Sequence, residues 1–467
     1  MKRIIENIEP VLKRLKSFCE VVLGFKKNQA VLEAQRCPQC SHPKCIEGCP
    51  LGVDIPGFIR ALREKNNLKA LHRIREQNGL AGICGRLCSA PCEKACILNE
   101  EEGVDPINIK ALERFSFDQG QSKIKQIFNA ESANRNNRKV AVVGSGPTGL
   151  TAASILVEAG YEITIFEALH LPGGILRYGI PEFRLPEKAL DIEIEYITSL
   201  GIEIKTNCLI GKTYTIFDLM DMGYEAVLLA IGASAPQMLD IPGAQLKGVH
   251  FAQEFLMRTN LAGEQQSLKT EMPDLFGKEI AVIGSGTMAL DCARIAVRLD
   301  KQATIIHSQT EDDIEATGEE CNHAKEEGVK LEVLTSPVEI LSDENDCVKG
   351  IRCVRMDFVD KDGKGLWKVV PVKNSEFAVE ADTVILADKG ASNSLIIREM
   401  KDLKINKDGS IWIKKNEYMT SVDGVFAAGG VVNQSLNLIE ALCQGKEAAQ
   451  KIDLYLQKKN QNEEKNI

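Results

Sequence analysis

KVAVVGSGPTGLTAASILVEAGYEITIFEA, residues 139–168, reads as a dinucleotide-binding unit with every part in place. An apolar strand runs into a GxGxxG turn at Gly144, Gly146 and Gly149. A helix follows and closes near Gly160, and a second strand ends at the acid Glu167. The glycines admit a pyrophosphate to the helix N-terminus, and the acid accepts hydrogen bonds from an adenosine ribose. A lone GxGxxG is a weak signal. Flanking strand, helix and acid together make it a fold assignment.

Toward the C-terminus the pattern recurs as EIAVIGSGTMALDCARIAVRLDKQATIIHSQ, residues 279–309, with Gly284, Gly286 and Ala289 in GxGxxA form. The position equivalent to Glu167 is His307, so the ribose acid is absent. An NADP site would favour arginines beside it, yet Ser308 and Gln309 follow. Two charge-assisted bonds, each contributing about 1.5 to 3 kcal/mol, are therefore missing. The second unit reads either as a nicotinamide site or as an inherited fold whose nucleotide site has weakened.

Toward the N-terminus, eight of the fifteen cysteines fall in two tight groups, Cys37, Cys40, Cys45, Cys49 and Cys84, Cys88, Cys92, Cys96. RCPQCSHPKCIEGCP gives a CxxCxxxxCxxxCP run, which suits cubane iron-sulfur ligation, and the last cysteine of such a run can serve a second cluster. Two clusters are implied. Structural zinc is second-best because it favours paired CxxC knuckles. A disulfide framework would need an oxidising compartment, whereas MKRIIENIEPVLKRLK carries scattered charges and no apolar h-region, which points to a cytoplasmic location. Inert thiols account for the lone Cys208, Cys292, Cys347 and Cys443 but not for the dense block.

The 467 residues allow about three domains, and 44% hydrophobic content supplies full cores. A net charge of -9 and an aromatic share of 5% argue against a nucleic-acid surface, and no apolar run approaches a membrane span. Ile4, Ile5, Ile8, Val11, Leu12, Leu15 and Phe18 fall at helical spacing and predict a docking helix, with Pro10 able to start a turn. Residues 119–138 read as a linker, and the polar tail after Leu456 is expected to fray. The expected fold is α/β: an all-helical N-terminal iron-sulfur domain, residues 1–135, followed by two Rossmann-like domains. The FAD-binding domain is expected over 136–275 and 385–467, and the NAD(P)H-binding domain over 276–384.

The chain resembles the small (beta) subunit of glutamate synthase and its relatives. These include the NADPH-binding flavoprotein subunit of ferredoxin-linked transhydrogenase and the N-terminal half of dihydropyrimidine dehydrogenase. The marks are EAQRCPQCSHPKCIEGCPLGVDIPGFI, ICGRLCSAPCEKAC, GVDPINIKALERF, PGGILRYGIPEFRLP and GVFAAGGVVNQSLNLIEALCQGKEAA. The resemblance implies one 4Fe-4S cluster on Cys37, Cys40, Cys45 and Cys96. It implies a second on Cys49, Cys88, Cys92 and the carboxylate of Glu113, with Cys84 a buried bystander. It places FAD on Gly144, Gly146, Gly149 and Glu167, with the segment carrying Gly174, Arg177 and Gly179 near the isoalloxazine and Gly429 and Gly430 at the C-terminal contact. Arg177 and Arg184 suit structural ion pairs equally well.

Departures from the family pattern lie at Gly430, where relatives carry an aspartate, at Ser308-Gln309, where they carry arginines, and in VILADKGASNS, residues 384–394, which lacks a glycine-glutamine-proline turn. NADPH or NADH would bind the second unit at Gly284, Gly286, Ala289 and His307. Asp291 and Arg294 match the family but also fit an amphipathic helix face. The function implied is electron input, from NAD(P)H through FAD to the clusters. Hydride carries two electrons, clusters accept one, and a flavin handles both. Met1-Lys2 offers no amino-terminal cysteine for a glutaminase, so a larger redox subunit or a ferredoxin is expected as partner. The alternative is a relay or assembly module that keeps FAD and clusters without using nicotinamide.

Overall fold

The structure is a computed structural model. It describes residues 2–126, 136–233, 235–236, 238–262, 277–314, 318–360, 367–387, 390, 394–434 and 436–465. The N-terminal region holds β1 (Asn7–Ile8), α1 (Val11–Arg14), β2 (Val22–Gly24), α2 (Lys27–Arg36) and α3 (Lys44–Glu47). After these come α4 (Ile55–Arg63), α5 (Asn67–Arg75), α6 (Ala81–Leu87), α7 (Pro91–Lys94) and α8 (Ile109–Gly120).

This region is mixed rather than all-helical, because β1 pairs antiparallel with β2. The docking helix expected over the opening residues shrinks to the short α1, capped by Pro10. Isoleucine-rich sequence suits an extended chain as readily as a helix, and tertiary partners choose between them. Here Asn7 Nδ2 donates to Gly24 O at 2.7 Å and Glu33 accepts from the Ile4 amide at 2.8 Å.

The first Rossmann unit contains β3 (Lys139–Val143), α9 (Pro147–Glu158), β4 (Glu162–Phe166), α10 (Ile175–Tyr178), α11 (Glu187–Ser199), β5 (Glu203–Lys205), α12 (Ile216–Asp221) and β6 (Tyr224–Leu229). The second contains β7 (Val249–Phe251), α13 (Ala252–Leu261), β8 (Glu279–Ile283), α14 (Thr287–Arg298), β9 (Gln302–Ile306), α15 (Gly318–Glu326), β10 (Lys330–Glu332) and β15 (Thr383–Leu386). Its parallel order is β10-β9-β8-β15-β7, so it draws a strand from ahead of residue 276, where the sequence places its start. Between β10 and β15 the chain makes β11 (Thr335–Ser342), β12 (Val348–Asp360), β13 (Trp367–Pro371) and β14 (Phe377–Glu380), an antiparallel sheet that strand-and-helix alternation does not foretell.

The chain then returns through α16 (Ser394–Glu399) to β16 (Val425–Ala427), completing the first parallel sheet in the order β16-β6-β3-β4-β5. The last helix, α17 (Leu438–Lys465), packs along α9. It runs on through the tail expected to fray, since extending an established helix costs far less than nucleating one. Gln457 Nε2 donates to Asp453 Oδ2 one turn back at 2.9 Å. Part of the expected linker, 127–135, and most of the turn after Ala387 lie outside the described residues. Among the described residues no helix is long and apolar enough to cross a membrane.

Candidate functional site

The cysteines separate in space into two sets. Cys45, in α3, has Cys37, Cys96 and Cys40 as its charge neighbours, and burial first, then those thiols, pushes it up to about 12. Cys37 caps α2, and Gln39 Nε2 donates to its sulfur at 3.4 Å. Arg63 holds the approach by donating to Ala34 O and Gln35 O at 2.9 and 2.8 Å.

The second set is Cys49, Cys88 and Cys92, which line one cavity with Glu113 of α8, Asn78 and Cys84 of α6. Burial and then Glu113 push Cys88 up to about 12, and burial pushes Cys92 up as well. Glu113 is half-buried, and desolvation lifts its carboxyl to about 8 although Asn78 Nδ2 donates to Oε1 at 2.8 Å. The sequence leaves Cys84 as a bystander, yet it faces the cavity.

The donors fit clusters. Each iron of a cubane takes one ligand, usually a thiolate, and each set brings at least three cysteines together.

In the first Rossmann unit the three glycines have different surroundings. A Cβ on Gly149 would lie 2.0 Å from Gly144 O, so the helix meets the turn too closely for any side chain. A Cβ on Gly146 would meet nothing within 4 Å, leaving open space where a pyrophosphate approaches the N-terminus of α9. Glu167 Oε2 accepts from the Ser145 amide at 2.9 Å and Oε1 from the Leu169 amide at 2.9 Å. Ser145 Oγ in turn accepts from the Gly173 amide at 2.9 Å, which ties the following loop to the glycine turn. These residues fit FAD.

That loop carries Gly174 at the start of α10 and Gly179 at its end. Arg177 Nε donates to Pro172 O at 2.8 Å and its guanidinium pairs with Asp191. Arg184 pairs with Asp291 Oδ2 at 2.7 Å and with Glu320. Both arginines therefore sit in ion pairs. The Gly429 amide donates to Gln444 Oε1 at 2.8 Å, and a Cβ on Gly430 would lie 3.0 Å from Ala233 N, so this departure from the family pattern matches a close approach of two turns.

In the second unit Gly286 again faces open space, and Ala289 is buried on α14. His307 follows β9 and is buried, its amide donating to Glu332 O at 2.9 Å. Asp291 and Arg294 do not form an exposed face. Arg294 pairs with Glu327 through Nε at 2.8 Å and Nη2 at 2.9 Å, and Arg298 joins the same carboxylate at 2.6 Å. Both guanidinium groups stack on Phe183 at 4.5 and 4.2 Å, so the loop that follows α10 is welded to α14.

Residues 138–445 match the pyridine nucleotide-disulphide oxidoreductase family. The chain belongs to that family. Residues 14–125 match dihydropyrimidine dehydrogenase domain II, 4Fe-4S cluster, so this oxidoreductase carries an N-terminal domain of the 4Fe-4S type ahead of its pyridine-nucleotide and FAD architecture. It is 33% identical over 439 residues to the NADP(+)-dependent formate dehydrogenase subunit beta of Moorella thermoacetica, covering 88% of this chain and 60% of that protein's length. It is 32% identical to the glutamate synthase [NADPH] small chain of Mycobacterium tuberculosis, covering 97% and 94%. Mycobacterium tuberculosis FprA in complex with NADPH shares the fold, with a TM-score of 0.58 at 20% identity over 70% of this chain and 86% of that one.

Sequence reasoning missed the part of α17 in this oxidoreductase. Ile439 lines the second cysteine cavity, and Cys443, read as an inert thiol, has Cys49 as a charge neighbour. Lys446 Nζ donates to Leu51 O at 2.8 Å and to Gln77 Oε1 at 2.5 Å. The signal was available in LIEALCQGKEAA, where an alcohol-free apolar face carries one cysteine and one lysine at i and i+3.

Proposed function

We propose that this chain is an electron-input subunit of the glutamate synthase small-subunit type, passing electrons from NAD(P)H through FAD to two 4Fe-4S clusters and on to a partner. Cys37, Cys40, Cys45 and Cys96 would hold one cluster, and Cys49, Cys88, Cys92 and Glu113 the other. FAD would lie on Gly144, Gly146, Gly149 and Glu167, and the nicotinamide cofactor on the unit of Gly284, Gly286 and Ala289. When bound, the flavin accepts a hydride's two electrons and releases them singly.

One observation carries the reading: a single helix connects the two sites. The first turn of α9, which faces the open space at Gly146, is bonded to α17 through Thr148 Oγ1 to Ala441 O at 3.0 Å. Two residues before Ala441, Ile439 lines the second cysteine cavity. The protein thereby fixes the spacing between the FAD unit and the nearer cysteine set. Ser145 and Glu167 hold the glycine turn, and the Arg184–Asp291 ion pair and the stacking of Arg294 and Arg298 on Phe183 hold the second unit against the first. Asn78 orients the Glu113 carboxylate.

The partner is a larger redox subunit, such as a glutamate synthase large subunit or a second flavoprotein, or else a ferredoxin, met in the cytoplasm. Anaerobic protein should contain iron, sulfide and FAD, and its flavin absorbance should bleach on titration with NADH or NADPH. Protein that binds iron and FAD but is reduced by neither nucleotide would convert the reading to an electron relay fed from a partner.

A further inference from the structure

We propose that Cys84 is a reserve ligand of the second cluster site, able to take the iron that Glu113 holds. The proposal rests on the two-cluster reading above and extends it, giving this site five donors for four irons. The packing of two helices creates the arrangement. A Cβ on Gly85 would lie 2.6 Å from the Cα and N of Arg114, and one on Gly82 would lie 2.6 Å from the Phe117 ring. Glycines at both positions let α6 and α8 approach at backbone distance. The neighbours of that crossing, Cys84 on one helix and Glu113 on the other, are thereby turned into one cavity with Cys49, Cys88 and Cys92.

Asn78 fixes where the Glu113 carboxylate sits in that cavity. It is buried, and its Oδ1 accepts from the Leu80 amide at 3.0 Å, which fixes the orientation of its amide. The Nδ2 group therefore points into the cavity. There it donates to Glu113 Oε1 at 2.8 Å, and Cys84 lines the same cavity. Cys84 is 2% exposed and its amide is bonded to Leu80 O at 3.0 Å within α6, so its position is set by the helix and not by a loop.

Thiolate is a softer donor than carboxylate and is the usual ligand of iron in such clusters. Exchange moves no electrons. The iron–oxygen bond to Glu113 breaks, an iron–sulfur bond to Cys84 forms, and the thiol proton passes to the freed carboxylate. A site with this option tolerates loss of its carboxylate ligand without losing iron.

The test compares four full-length proteins prepared anaerobically: wild type, Cys84→Ser, Glu113→Ala and the double variant. Iron and sulfide are counted, and the reduced clusters are read by electron paramagnetic resonance. Cys84→Ser should match wild type in both readouts. Glu113→Ala should keep full iron with one altered signal, and the double variant should lose at least one further iron per protein. Equal iron in Glu113→Ala and the double variant overturns the proposal, as does iron loss in Cys84→Ser alone. Glu113→Leu, which fills the space without a donor, replaces alanine if the smaller side chain unfolds α8. An iron-free wild type overturns the cluster reading itself, and the reserve ligand with it.

Discussion

The two Rossmann units share a strand, a glycine turn and a helix, but they differ in what stands at the end of the second strand. In the first, Glu167 is bound by the amides of Ser145 and Leu169 and so braces the glycine turn before any ligand arrives. In the second, His307 stands in that place and bonds the neighbouring strand through its backbone. A buried acid of the second unit, Asp291, lies instead on the helix and faces Arg184 from the first unit. Glycine spacing reports the fold, whereas the residue at the strand end reports how far a ligand site is organised in advance.

The comparison breaks most sharply at the third small residue. Gly149→Ala forces a methyl group to within 2.0 Å of Gly144 O, whereas the second unit already carries Ala289 at that position. Overpacking of this kind costs about 3 kcal/mol, so FAD affinity should fall about 100-fold, measured by flavin titration of the apoprotein. Ala289→Gly should leave FAD affinity unchanged and lower stability by about 1 kcal/mol.

A smaller effect is expected at the strand ends. Glu167→Gln removes charge from hydrogen bonds that brace the first turn, and FAD should bind about tenfold more weakly, or about 1.4 kcal/mol. His307→Gln should leave FAD binding unchanged in the same titration. Equal losses in both variants would erase the distinction between the units.

The smallest effect is the pH dependence that Asp291 contributes in the second unit. Burial lifts the Asp291 carboxyl to about 6, despite the Arg184 guanidinium beside it. Between about pH 4 and 6 the folded protein holds at Asp291 a proton that the unfolded chain has released, so the contribution of this group to stability falls as pH rises through that window and levels off above it. The midpoint of thermal unfolding should drop by on the order of 2 °C across the window, and Asp291→Asn should flatten the curve.

Both glycine turns and the parallel sheets are legible in the sequence because each rests on local spacing, whereas the sorting of Cys96 with the first cysteine group and Cys49 with the second comes from the family resemblance. The N-terminal strands are not legible, because Ile4 to Ile8 satisfy both helical and extended patterns until Gly24 and Glu33 arrive as partners. The antiparallel sheet from Thr335 to Glu380 escapes for a related reason: short strands separated by turns look alike whether or not helices intervene. At the candidate site, the placement of Cys84 depends on Gly85 and Arg114, which lie on separate helices. Lys446 meets Leu51 across most of the chain. Such pairings leave no periodic trace.

The segment from Glu9 to Val21 has a consequence for assembly. Arg14 pairs with Glu326, Arg298 donates to Ser17 O and the Val21 amide donates to Phe183 O, so an early segment closes on partners as many as 312 residues later in the chain. Contacts of such long sequence separation form late in folding, since loop closure must precede them. During synthesis this strap can close only after the second Rossmann unit has emerged. On the two-cluster proposal iron would therefore have an interval to enter before closure, and a chain truncated ahead of Arg298 would lack the partners that close it.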